Sequence, residues 1–135
     1  MFITRSDLNK NLYAEIIDAI TRKEPGREEY GIRAAEEKVK SYLAGKYDLD
    51  CIFSKAGDER NFMIVDTVAN IALYIIADVL EQMPVTIQNA YENSMEYLKD
   101  LQAGKAMLVG VPEPTDPDTG EPDTYIRYGQ PDNRY

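Results

Sequence analysis

Apolar residues occupy almost every side of the stretch Asn61 to Met83, NFMIVDTVANIALYIIADVLEQM. Its polar positions, Asp66, Asn70, Tyr74, Asp78 and Gln82, each follow the last by four residues, the spacing of a single line along a helix. The pattern predicts one long buried helix around which the chain is organised. Its polar stripe should face water in a lone subunit, or pair across a contact in an assembly. The run is long enough to suggest a membrane span, but Asp66, Asn70 and Asp78 would each be costly in hydrocarbon, so a buried core helix is the better reading.

The flanking segments read as helices that cover this one. Thr4-Arg5-Ser6-Asp7 has the pattern of a capping box, with Thr4 accepting from the Asp7 amide and Asp7 reaching back. Leu8, Leu12, Tyr13, Ile16, Ile17 and Ile20 follow at helical spacing, with a break near Asn11 that divides the segment into two short helices. The polar run Thr21 to Arg27, with Pro25-Gly26, reads as a solvated turn. From Glu28 to Ala44, Ile32, Ala35, Val39 and Tyr42 form a stripe that Gly45 closes as a left-handed cap, while Arg33, Glu36, Glu37 and Lys40 form a charged opposite face. Lys46 to Asp58 is a connection plugged by Leu49, Ile52 and Phe53, and Asn61 is the N-cap of the central helix. Pro84 suits the first turn of a last helix carrying Ile87, Tyr91, Ser94 or Met95, Leu98 and Leu101 and ending at Gly104. A link as short as Met83-Pro84 predicts a sharp reversal and an αα-hairpin.

Past Gly104 the character changes. Five of the seven prolines lie here, and from Pro112 to Tyr135 six acids oppose two arginines. A packed fold is improbable for such a composition. Two pieces have strand composition, Ala106 to Val111 and Thr124 to Tyr128, and Tyr125-Ile126-Arg127-Tyr128 is a candidate docking segment. The expected fold is therefore mainly α: a small antiparallel helical bundle with a long C-terminal αα-hairpin over residues 1–104, and an extended acidic tail with β-forming pieces over residues 105–135.

Residue chemistry narrows function mostly by exclusion. The chain has no histidine and a single cysteine, Cys51. Triads with histidine, histidine metal ligands, thiolate metal sites and internal disulfides are ruled out. The segment Asp116-Pro-Asp118-Thr-Gly120 superficially matches a calcium loop, but Gly120 stands at its fifth position and Arg127 at its twelfth, where oxygen ligands belong. No catalytic residue, cofactor or metal is expected, and the protein should not be an enzyme. Carboxylate chemistry by Asp66 and Asp78 is disfavoured because they lie about three helical turns apart. A net charge of -9 opposes tight nucleic-acid binding, which depends on lysine and arginine displacing counterions. No export leader and no internal repeat is apparent.

Several fragments nevertheless fall in a known order. Met1-Phe2-Ile3-Thr4 with Asp7-Leu8, the run Val39-Lys40-Ser41-Tyr42-Leu43-Ala44-Gly45-Lys46-Tyr47-Asp48-Leu49, and Tyr91-Glu92, Tyr97-Leu98, Leu101-Gln102 and Ala103-Gly104-Lys105 resemble the Mu-like prophage proteins related to the head-to-tail connector, or adaptor, proteins of tailed phages. The resemblance spans about residues 1–105. Here Tyr97 stands where tryptophan is common in the family, Asn93-Ser94 replaces a more apolar pair, and the tail carries a proline-rich insertion.

The resemblance implies a structural subunit that assembles with itself into a ring of about twelve under the portal protein. Tail-completion proteins would lie below, DNA would pass through an acidic channel without being held, and the location would be the virion's head-to-tail junction, reached through the host cytoplasm, with no membrane involved. In that setting the tail would latch to the portal or a neighbour by strand addition, and the charged helix from Glu28 to Ala44 and the polar side of the Val85 to Gln102 helix would be the ring's two faces. The candidate contact residues are Arg33, Glu36, Glu37, Lys40, Asp66, Asp78, Tyr125, Ile126, Arg127 and Tyr128. A second reading, from composition alone, is a small acidic helical protein that inhibits a basic partner by occupying it.

Overall fold

The computed structural model describes residues 2–8 and 14–113. These residues are mainly helical and contain no strand. The helices are α1 (Arg5–Leu8), α2 (Ala14–Lys23), α3 (Arg27–Leu43), α4 (Leu49–Phe53), α5 (Phe62–Ala77) and α6 (Val85–Ala103), with a 3-10 turn at Gly57–Glu59 before α5. The break predicted near Asn11 falls on residues outside the described ones, between α1 and α2. No helix among the described residues is long and apolar enough to cross a membrane.

Helix α5 is the centre of the core, with nine of its sixteen residues buried. Asn61 caps its start as expected, accepting the Ile64 amide at 3.2 Å. Helix α3 crosses it closely at Gly31, where an added Cβ would stand 2.5 Å from Ile76 Cγ1 and 3.3 Å from the Ala72 carbonyl oxygen. Two further helix ends follow their sequences. Gly45 adopts φ +86° just past α3. Gly104 (φ +83°) closes α6 in a Schellman arrangement, in which the Lys105 amide reaches the Asp100 carbonyl at 2.8 Å and the Gly104 amide reaches that of Leu101 at 3.3 Å. Pro84 precedes α6 as its N-cap, one position earlier than expected.

Helix α5 ends at Ala77, six residues short of Met83. Arg27 supplies the physical reason. Its guanidinium donates to the Ile75 carbonyl, the acceptor that continued helix would have offered to Val79, and places positive charge at the negative end of the helix dipole. The chain turns instead through Leu80 N–H to Ala77 O at 2.9 Å. The connection to α6 is thus residues 78–84, with Leu80 and Met83 packed on the core, and not a two-residue reversal.

The strand expected at Ala106 to Val111 does not form. Gly110 is left-handed at φ +78°, and the Leu108 amide donates to the Tyr47 hydroxyl at 3.0 Å. The segment instead straps back over the domain. Leu108 is buried, Ala106 and Val111 pack against the core, and the Pro112 carbonyl accepts the Asp48 amide at 3.0 Å. The other strand candidate, Thr124 to Tyr128, lies outside the described residues.

Candidate interaction surfaces

The charged face of α3 divides into an inner and an outer half. Arg33 and Glu37 are exposed. With Gly26, Glu29, Tyr30 and Ala34 they line an open groove of about 440 Å³. Glu36 and Lys40 are half-buried and already engaged within the subunit. The Glu36 carboxylate accepts the Phe2 amide at 3.2 Å, and the Lys40 ammonium lies 5.2 Å from the Phe53 ring centroid and 3.5 Å from Glu37. Helical spacing puts all four on one side of α3, but the N-terminal segment and α4 cover part of that side.

Asp66, Asn70 and Tyr74 of the α5 polar stripe are half-buried, and the last two meet α6. Asn70 Nδ2 donates to Asp66 Oδ2 at 3.3 Å and to the buried Ser94 hydroxyl at 3.1 Å. Tyr74 stacks on Tyr91 with centroids 3.8 Å apart and planes 12° from parallel. The expectation that the stripe faces solvent in one subunit holds for Asp78 and Gln82, which are exposed, and fails at Asn70 and Tyr74, where α6 supplies polar and aromatic partners. The stripe also stops at Tyr74 as a helical line, because Gln82 lies beyond the helix and Asp78 is its exposed C-cap. Asp66 and Asp78 thus occupy unlike environments, one half-buried beside Asn70 and one exposed at a helix end. Among the described residues no group of three or more histidine, cysteine, aspartate or glutamate side chains could hold a metal ion. Tyr125, Ile126, Arg127 and Tyr128 lie outside the described residues.

Three arginines carry contacts that sequence spacing could not reveal. Arg60 clasps the N-terminal segment. It donates to both carboxylate oxygens of Asp7 at 2.8 and 3.1 Å, to the Phe2 carbonyl at 2.9 Å and to the Gly57 carbonyl at 2.7 Å. The hydrogen bonds from Arg60 hold the Asp7 carboxyl below its ordinary pKa despite partial burial, and Asp7 in turn raises that of Arg60. Asp7 also accepts the Thr4 amide at 2.9 Å, while the Thr4 hydroxyl turns to Ser6. Only half of the expected capping box is therefore present. Arg5 ties α1 to α2 and α3 through Asp18 and Glu28, and Glu28 chiefly raises its pKa. Arg27 caps α5 and lies 5.4 Å from the Tyr30 ring centroid. Apart from Gly57 for Arg60 and Tyr30 for Arg27, three residues away in each case, the partners of these arginines are 13 to 58 residues away in the chain, beyond the reach of any local pattern.

Exposed apolar side chains complete the surface. Phe62, Val85, Met107 and Val109 are 75%, 70%, 77% and 89% exposed. These positions fall at helix starts and on the strap after α6, where the core needs no further cover.

The described residues form a small helical domain around one buried apolar core. Residues 2–125 match the family described as Bacteriophage Mu, Gp36, and the chain belongs to that family. The match extends about twenty residues past the fragments that carried the resemblance, into the proline-rich segment. No curated protein and no solved structure matches the chain.

Proposed function

We propose that this phage protein is a head-to-tail connector subunit, a structural part of the virion that assembles with itself in a ring between the portal protein and the tail. The observation that carries the reading is membership, over residues 2–125, of a bacteriophage Mu protein family. The surface supports it. Large apolar side chains at Phe62, Val85, Met107 and Val109 are the kind of exposure that assembly covers, and Arg33 with Glu37 offers a charged face on the outside of α3.

In this reading α3, α5 and α6 form an antiparallel bundle. The pairs Asn70 with Ser94 and Tyr74 with Tyr91 run in opposite senses along α5 and α6. A ring of about twelve copies needs two different faces of the subunit to meet. The outer groove of α3 and the polar side of α6 are assigned to those faces. A net charge of -9 suits a channel wall past which DNA slides without being held, and tail-completion proteins bind below. The protein has no catalytic function in this role.

Immuno-gold or cryo-electron microscopy of virions tests the proposal. The expected result is density for the chain at the portal vertex. Particles carrying the protein elsewhere, or lacking it altogether, overturn the reading.

A further inference from the structure

An open groove of about 420 Å³ runs between α3 and α6, lined by Tyr42, Tyr91, Glu92, Met95, Glu96 and Lys99. Its floor is aromatic and pre-set, because Tyr91 is held by its stack on Tyr74, which lowers the ordering cost of any occupant. Its rim carries Glu92 and Glu96 one helical turn apart and exposed, with Lys99 as the single cation of the lining, so the rim is net negative and favours an added cation beside the like-charged pair. The groove therefore calls for an extended segment with aromatic or aliphatic side chains and a guanidinium.

The chain carries such a segment. Tyr125-Ile126-Arg127-Tyr128 has aromatic residues on either side of Ile-Arg, and Arg127 is the only cation between Glu113 and Asn133. The point of departure is known, since Pro112 is fixed beside Asp48, at the end of the domain where α3 finishes. Tyr125 lies twelve positions after Glu113, with prolines at 114, 117 and 122 and acids at 116, 118, 121 and 123 between them. Prolines and like charges favour extension, at about 3.1 Å per residue, so this spacer spans about 37 Å. A domain of this size is about 35 Å across. The subunit's own groove begins at Tyr42, six residues back in the chain from Asp48 at the exit, nearer than an extended spacer carries the segment. We infer that residues 125–128 of one copy dock in the α3–α6 groove of a second copy, with Arg127 between Glu92 and Glu96. The inference rests on the self-assembly proposed above and replaces strand addition with a named acceptor site.

The chain contains no tryptophan, so Tyr128→Trp in the full-length protein gives a single reporter. Its emission should move to shorter wavelength as protein concentration rises. Glu92→Lys with Glu96→Lys should shift the midpoint of that change at least about tenfold, about 1.4 kcal/mol, and adding Arg127→Glu should recover it. Circular dichroism controls for folding, since both glutamates are exposed. Emission that stays at the free-indole position at every concentration overturns the inference. So does a shift independent of concentration, which places the segment in its own groove, or one indifferent to the two lysines. Any of these results leaves the connector reading standing, because that reading is decided by microscopy at the portal vertex.

Discussion

The two ends of α5 are made in different ways. At its start, Asn61 accepts an amide three residues ahead, and the adjacent Arg60 pins the loop to Asp7 and Phe2. At its end, the local closure is only a long contact from the Asp78 amide to the Ile75 carbonyl at 3.4 Å. Apolar periodicity runs on through Val79 and Leu80, and the termination comes from Arg27, 48 residues earlier in the chain. A start built from neighbours is legible in sequence and robust to distant change. An end built from α3 makes the length of the central helix a property of the tertiary fold, so α5 reaches its observed length only once α3 is seated on it.

The largest effect should come from unseating α3. Gly31→Val places a branched side chain where even a Cβ would lie 2.5 Å from Ile76 Cγ1. That atom is next to the Ile76 Cβ and has little room to yield. Overpacking of this kind costs about 3 kcal/mol, partly because the Ala72 carbonyl stands 3.3 Å away on the same side. Urea unfolding should show this loss, together with reduced protection from hydrogen exchange at the end of α5. Loss of stability with full protection there would mean that the end of α5 does not depend on α3.

Arg60→Ala comes next. It strips Asp7 and the Phe2 carbonyl of a mostly buried donor and should cost about 2 kcal/mol, with hydrogen exchange rising in α1 while the core of α5 stays protected. The same pair sets an acid limit. The folded Asp7 carboxyl titrates below its ordinary value, so the unfolded chain binds the proton first as pH falls. The stabilisation is complete above the unfolded carboxyl's pKa, near 3.9, and is lost as pH falls through the lower folded value. Acid unfolding of Arg60→Ala should accordingly begin at higher pH than that of the wild type. Identical acid midpoints would show that Asp7 gains nothing from Arg60.

What could be read in the sequence was whatever neighbours decide. The apolar face of α5, the Asn61 cap, and the glycines that end α3 and α6 all rest on residues within a turn of one another. The stripe Asp66, Asn70 and Tyr74 was visible as a line, but its destination was not, because Ser94 and Tyr91 become its partners only when α6 folds back. The strap over residues 105–113 was hidden for another reason. Its apolar composition reads as a strand, and its course is set by distant partners: the Tyr47 hydroxyl and the Asp48 amide hold it while Leu108 is buried in the core. For the candidate surfaces, the spacing that grouped Arg33, Glu36, Glu37 and Lys40 was correct as geometry. The engagement of Glu36 by the Phe2 amide depends on a contact 34 residues away.

A smaller effect separates the ends of α5 directly. Arg27→Gln removes the charge at the negative end of the dipole and should cost about 1 to 2 kcal/mol. Hydrogen exchange should change at residues 75–80 and not at residues 61–66. Arg27→Lys should recover only part of the loss, because an ammonium lacks the planar fork and the weak hydration that let a guanidinium lie against Tyr30 while donating to Ile75.

The smallest effect belongs to Asn61. Its side chain satisfies one amide at the helix start, and Asn61→Ala should cost about 1 kcal/mol. Asn61→Asp should match or exceed the wild type, since a carboxylate accepts the same Ile64 amide and also favours the positive end of the dipole. Chemical denaturation of the two variants at neutral pH, beside Arg27→Gln and Arg27→Lys, sets the comparison on one scale. If the start is local, the conservative change restores it in full. If Asn61→Asp is as damaging as Asn61→Ala, the start of α5 is governed by the Arg60 clasp instead, and both ends of the helix are then set from a distance.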